Sequence, residues 1–158
     1  MKMAHLMSSL IVLTLLFIFL YQSSATEVTY DVLNLGAKAD GYTDSTKAFL
    51  RAWTAACDST KPATIYVPPG RYLLGKAHFG GQCKNSGITI HIEGTLLAPS
   101  DYNLIGNAGN WLLFEGVNGV SIIGGILDGQ GTGLWACKAS GKSCPTGATV
   151  IKQKTSIS

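Results

Sequence analysis

Short apolar runs recur along this chain at a nearly constant interval, and that recurrence most limits what it can fold into. Ile65, Ile88 and Leu112 each open such a run, 23 and 24 residues apart. The tetrad Gly87-Ile88-Thr89-Ile90 is echoed by Gly119-Val120-Ser121-Ile122, and each is followed within a few residues by glycine and another apolar run. A period of roughly 20–50 residues is the mark of a solenoid. Strands this short suit a parallel β-helix, in which each coil stacks on its neighbour and buries inward-facing aliphatics. A β-sandwich also has short, closely spaced strands. The repeat interval, and a helical segment able to cover an open end, favour the β-helix.

The individual elements follow from side-chain periodicity. Thr29–Leu33 reads as a strand and Asn34–Gly41 as turn sequence. Ala48, Phe49, Ala52, Trp53 and Ala56 then recur at helical spacing. This predicts a helix over Asp44–Cys57, started by Thr43 or Asp44 and ended before Lys61-Pro62. Strands are expected at Thr64–Val67, Tyr72–Leu74, Ile88–Ile92, Thr95–Ala98, Leu112–Phe114, Val120–Ile123 and Ile126–Leu127. In Ile88–Ile92 the isoleucines alternate with Thr89 and His91, so one face is apolar. Leu113, Val120, Ile122 and Ile126 are the candidate inward residues of the last coil.

Residues 1–25 are not expected to count toward the folded part. Lys2, the apolar run Leu10–Leu20 and Ser23-Ser24-Ala25 make a secretory signal peptide cleaved after Ala25. A membrane anchor is disfavoured because the run falls short of about 20 apolar residues. The expected product is secreted, with no membrane association after cleavage. Export implies an oxidising compartment. The four cysteines, Cys57, Cys83, Cys137 and Cys144, are therefore disulfide candidates, and four allow three pairings. The short Cys137–Cys144 loop favours that pair and leaves Cys57 with Cys83. A zinc site has no suitable ligand spacing here. The formal charge of +3, or +2 without Lys2, is too small to indicate nucleic acid. No Asn-x-Ser/Thr acceptor occurs.

Several ordered segments carry a family resemblance. Tyr30–Phe49 resembles the opening of pectin-active β-helix proteins, a feature shared with other pectinase-like β-helices. Thr64–Leu74, with its Pro68-Pro69-Gly70 corner, looks like a first coil, and Gly94–Asp101 like a second. Asp128-Gly129-Gln130-Gly131 with Trp135, followed by Cys144-Pro145-Thr146-Gly147-Ala148-Thr149, looks like a third. Together they resemble plant polygalacturonases over about Val28–Thr149. The resemblance implies the first coils of a right-handed parallel β-helix, all-β apart from an N-terminal capping helix. It also implies a pectin (homogalacturonan) substrate, a cell-wall location and no cofactor. Other enzymes on this scaffold are rhamnogalacturonan hydrolases and lyases. Lyases would need acidic calcium-binding clusters, and this sequence has none.

The residues that polygalacturonases use for catalysis do not fall in this sequence. The family hydrolyses α-1,4-galacturonosyl bonds with inversion, using aspartates in Asn-Thr-Asp and Asp-Asp motifs beside Gly-His-Gly and Arg-Ile-Lys. None of these four motifs occurs. Inversion needs one carboxylic acid for the leaving oxygen and one carboxylate for water. The carboxylates present have simpler roles: Asp40 forms a turn, Asp44 caps the helix, and Asp128 fixes the loop that follows it. His5 lies in the leader, His78 in a Gly-rich loop, and His91 on the strand face opposite the isoleucines. No catalytic, cofactor-binding or metal-ligating residue is therefore assigned. The expected organisation is 1–25 leader, 26–149 N-terminal coils and 150–158 a divergent tail that adds no coil. On this reading the chain is a truncated polygalacturonase, inactive alone. The alternative is a non-catalytic pectin-binding or regulatory wall protein.

Overall fold

The computed structural model describes residues 26–154. The expected leader, 1–25, and residues 155–158 lie outside the described residues. In chain order the elements are β1 (Val28–Asp31), β2 (Asp40–Asp44), α1 (Thr46–Asp58), β3 (Ala63–Val67), β4 (Arg71–Leu73) and β5 (Ala77–Gly80). They continue with β6 (Ile88–Leu97), β7 (Asn110–Glu115), β8 (Val120–Asp128), α2 (Thr132–Ala139) and β9 (Thr149–Lys154).

Every strand pairing is parallel, and the pairings run from coil to coil. One face stacks β1, β3, the first half of β6 and the first half of β8. A second stacks β2, β4 and the later halves of β6 and β8. A third stacks β5, β7 and β9. This is a parallel β-helix of three faces. Its first coil has α1 where the later coils have a third-face strand.

The ladder shows which repeats were real. Ile88, Thr89 and Ile90 stand opposite Val120, Ser121 and Ile122, so the echo between the two tetrads is the structural repeat. The even interval ending at Leu112 is not. Leu112 pairs with Ala77 on the third face, and Ile65 pairs with Ile90. The runs read as separate strands on each side of a glycine are joined in single elements, β6 and β8, with one register irregularity between the two at the corner. On β7 the inward residues are Leu112 and Phe114, while Leu113 is only half-buried, which corrects the expected parity. The tail also needs correction. Thr149–Lys154 forms β9 and pairs with β7, so it does add a third-face strand.

Helix α1 covers the interior of the first coils with an apolar stripe, Ala48, Phe49, Ala52, Trp53 and Ala56, all buried. It packs on β1, β3 and β5. Phe49 meets Tyr72 edge-on at 5.9 Å, and Trp53 meets Phe79 at 5.5 Å and Phe114 at 5.7 Å. The Trp53 indole N–H donates to the Gly80 carbonyl at 3.0 Å. At the C-terminus of α1, Asn85 Nδ2 donates to the carbonyls of Ala56 and Ser59, satisfying acceptors that a helix end leaves unpaired. The Cys57–Cys83 disulfide, with a Cα–Cα distance of 4.4 Å, joins this helix end to the loop after β5. By chain entropy alone a loop of this size contributes about 3–4 kcal/mol.

Corners between the first and second faces stack as closely as the strands do. A Cβ on Gly94 would lie 2.6 Å from the Gly70 carbonyl oxygen and 2.7 Å from that of Pro68. Both are backbone atoms held by the ladder, and Thr95 N–H donates to the same Gly70 oxygen at 2.8 Å. Gly94→Ala is therefore expected to destabilise the fold by about 1–3 kcal/mol, as overpacking does. Gly75→Ala, whose Cβ would make an ordinary 3.5 Å contact with Thr46 Oγ1, is expected to be tolerated. Urea unfolding midpoints of the two variants test this, and equal midpoints would refute it.

Candidate ligand groove

The loops after β6 and β8 build the main concavity. At the end of β8, Asp128 Oδ1 accepts the Gln130 backbone N–H at 2.9 Å. This holds Gln130 at φ +45°, a left-handed conformation uncommon outside glycine. Asp128 is a turn former, and its carboxylate is engaged by its own loop. The turn is anchored to the coil beneath, since Ala98 N–H donates to Asp128 O at 2.8 Å and the Gln130 amide nitrogen donates to Ala98 O. The chain then enters α2, a helix absent from the sequence reading. Its glycine-rich start, Gly129-Gln130-Gly131-Thr132-Gly133, gives little helical signal.

One packing contact and one covalent bond position α2. Gly133 sits over the Tyr102 ring, with room for no more than a tight Cβ contact of 3.3 Å. The Cys137–Cys144 disulfide, Cα–Cα 6.1 Å, ties the end of α2 to the segment that follows. That segment lies on the loop beneath it, with Gly147 N–H donating to Gly106 O at 2.9 Å and Thr149 N–H to Gly109 O at 3.0 Å. The result is a cavity of about 470 Å³ whose walls include Tyr102, Gln130, Leu134, Trp135, Lys138 and Thr146. A second cavity of about 430 Å³ adjoins it, because Pro99 and Gln130 line both. Arg71, Asp40 and Asp101 line the second.

The first cavity is aromatic, with Lys138 the one charged residue on its walls, while the second sets Arg71 beside two carboxylates. Trp135 is 68% exposed. The Lys138 ammonium lies 5.1 Å from the Trp135 ring centroid and donates to Thr146 O at 2.8 Å. The Arg71 guanidinium makes no hydrogen bond or ion pair among the described residues. Asp101 Oδ1 accepts from the Asn103 backbone and side chain, both at 2.9 Å, and is committed to its own turn. Trp135 stood in a quoted motif without a role, and Lys138 and Arg71 were missed. Their sequence signal is slight: a tryptophan and a lysine three apart, and a lone arginine after a Pro-Pro-Gly corner.

The remaining candidates lie apart from a reacting pair. Asp40 accepts from the Thr43 hydroxyl at 2.6 Å and from the Thr43 and Tyr42 backbone N–H groups at 2.8 Å. These bonds, led by the Thr43 hydroxyl, lower its pKa to about 2. A general acid needs the opposite shift. For Asp44, burial pushes the pKa up, but the Thr46 hydroxyl and N–H outweigh it and the net shift is downward. Asp44 therefore serves the first turn of α1, one residue before the N-cap Ser45. His78 is not in a loop. It lies on β5, exposed, with Nε2 3.3 Å from Glu115 on β7. His91 is half-buried beside Tyr66, with ring centroids 5.8 Å apart. Tyr66 donates to Glu93 at 2.7 Å, and that bond holds its phenol above the usual pKa. His5 lies outside the described residues. No group of three or more His, Cys, Asp or Glu among the described residues could hold a metal ion. No described helix is long and apolar enough to cross a membrane.

Asp40 carries a pH signature. Its folded pKa lies below the ordinary carboxylate value of 3.8, so its bonds contribute stability above pH 4 and lose it as pH falls through about 2. Asp40→Asn is expected to lower the melting temperature at pH 6 and to match the parent near pH 2. Thermal melts across this range check it, and a difference that persists undiminished at pH 2 would contradict it.

Comparison with known proteins places this geometry. Residues 57–157 match the profile described as Glycosyl hydrolases family 28. A polygalacturonase of Prunus persica is 61% identical over 145 residues, covering 90% of this chain and 37% of that protein. An exopolygalacturonase of Zea mays is 42% identical over 109 residues, covering 68% of this chain and 26% of that protein. A polygalacturonase of Gossypium hirsutum is 44% identical over 133 residues, or 81% and 31%. The chain thus spans little more than a third of the length of these relatives, or less. Among solved structures, one assigned to a glycosyl hydrolase of Parabacteroides merdae superposes with TM-score 0.61 at 23% identity. It covers 79% of this chain and 60% of that one, a likeness of fold.

Proposed function

This chain belongs to glycosyl hydrolases family 28, and from that premise we propose that it supplies the N-terminal coils of a secreted polygalacturonase acting on cell-wall pectin. The observation that carries the proposal is the 61% identity to a polygalacturonase that runs through 90% of the chain. In this role residues 26–149 form the capped start of the β-helix and a substrate-facing groove, and 150–158 follow them. The chemistry belongs to a pair of carboxyl groups, one protonating the leaving oxygen and one activating water. It requires no metal or organic cofactor.

Neither member of that pair is supplied here. Asp40, Asp44 and Asp128 are each held as acceptors by backbone N–H groups of their own turns. For Asp40 and Asp44 these bonds lower the pKa, which favours the ionised form and opposes a role as the acid. The first cavity contributes a cation and an aromatic ring, which suit holding a substrate and not cleaving it. That feature also favours the second reading, a pectin-binding wall protein without hydrolytic activity.

Purified 26–158 is expected to release no reducing ends from polygalacturonate beyond a heat-killed control. A chimera carrying residues 26–149 in place of the matching third of the Prunus persica polygalacturonase is expected to cleave it. Release by the isolated chain would overturn the assignment of roles. An inactive but folded chimera would overturn the polygalacturonase reading itself.

A further inference from the structure

We propose that the groove between α2 and the loop after β6 is a binding subsite for a uronate unit, with Trp135 as its ring platform and Lys138 as its carboxylate contact. The inference rests on the pectin reading above and adds the residues and the charge of the ligand. The first argument is exposure. Trp135 leaves 68% of its surface in water at the rim of a 470 Å³ concavity, while the chain's other described tryptophans, Trp53 and Trp111, are each 3% exposed or less. A large flat apolar face beside a cavity suits a ligand with a flat apolar face of its own. A pyranose ring presents one through its axial C–H groups.

The second argument is charge. Lys138 is held in place by the Trp135 ring and the Thr146 carbonyl, and neither is an anion. An ammonium has three donors, and Thr146 occupies one. Lys138 has no carboxylate partner among the described residues. Arg71, in the adjoining cavity, likewise has none. A neutral sugar has no use for the unpartnered Lys138 ammonium, the one charged group on the walls of the first cavity, whereas a uronate carboxylate can engage it through a charge-assisted hydrogen bond. Gln130, common to both cavities, lies where one cavity passes into the other. The ligand class is therefore an acidic saccharide seated in the first cavity, since the second sets the carboxylates of Asp40 and Asp101 beside Arg71.

The third argument is rigidity. A subsite needs walls fixed before the ligand arrives. The wall bearing Trp135 and Lys138 is joined by Cys137–Cys144 to the wall bearing Thr146, and that wall is bonded to Gly106 and Gly109 beneath.

The test is calorimetric binding of trigalacturonate to 26–158, with galactotriose as the neutral control. Trigalacturonate is expected to bind at least about tenfold more tightly than galactotriose, and its affinity is expected to fall with added salt. Trp135→Ala and Lys138→Gln are each expected to weaken binding about tenfold with unchanged far-ultraviolet circular dichroism, and Lys47→Gln, on α1, to leave it unchanged. In the active chimera the same two substitutions are expected to raise KM with kcat nearly constant, as loss of uniform binding does. Equal affinity for the two trisaccharides, no detectable trigalacturonate binding, or binding indifferent to both substitutions would overturn the subsite. A chimera that cleaves polygalacturonate with KM unmoved by either substitution would also overturn it while leaving the polygalacturonase reading intact.

Discussion

Backbone hydrogen bonding between successive coils sets the terms for everything else in this protein. Parallel strands stack at about 4.8 Å, so each residue lies on its counterpart one coil away. Columns form as a result: Ile65 under Ile90 under Ile122, and Thr64 under Thr89 under Ser121. Inward columns must be apolar and of similar size. At a corner, where backbone sits on backbone, there is no room for a side chain, and Gly94 lies between Pro68–Gly70 below and Gly124-Gly125 above. A Cβ on Gly124 would come within 2.5 Å of the Ile92 carbonyl oxygen. The same spacing explains α1. The first coil has no strand layer beneath it, so an amphipathic helix supplies the apolar cover, pinned by Cys57–Cys83 and the Trp53 indole.

What was legible in the sequence tracks which elements carry their own pattern. The stripe of α1 and the alternating isoleucines of β6 are local signals, and both are present in the fold. Strands β2, β5 and β9 are not local. Asp40-Gly41-Tyr42-Thr43-Asp44 has almost no strand propensity and is extended because it lies on β4. Ala77–Gly80 and Thr149–Lys154 are extended because they flank β7. The misplaced interval at Leu112 has a similar cause. Loop lengths between faces vary, so equivalent positions are 25 residues apart at Ala63–Ile88 but 32 at Ile88–Val120. An even spacing between apolar runs can therefore join strands of different faces. Helix α2 was illegible because three glycines interrupt its start and Tyr102, distant in sequence, supplies its packing.

The candidate site was legible at its carboxylates more than in its groove. The resemblance supplied a list of catalytic motifs to look for, and the carboxylates that remained had turn and cap chemistry written around them. Asp40-x-x-Thr43, Asp44-x-Thr46 and Asp128-x-Gln130 are short side-chain-to-backbone loops readable from local spacing. The groove was not readable in this way. Trp135, Lys138 and Arg71 are joined only by the fold, which brings the loop after β8 over the loop after β6 and beside the β4 strand.

The position of the groove on the last described coil raises the question of what keeps it rigid. Stacking buries a solenoid residue from both sides. Ile90, with a coil above and below, is 6% exposed, while its column partner Ile122 is 37% exposed and Ile126 62%. Nearest-neighbour packing alone would leave this coil the loosest part of the described structure. The groove does not depend on that packing. Its walls are bonded downward to Ala98, Gly106 and Gly109 of the coil beneath, and are closed on themselves by Cys137–Cys144. A loop this short is worth about 2–3 kcal/mol of chain entropy, comparable with burying one aliphatic side chain. The disulfide thus stands in, at the groove, for packing that stacking provides elsewhere. The two disulfides have parallel tasks: each fixes a helix to the coil at a place where strand stacking cannot reach it.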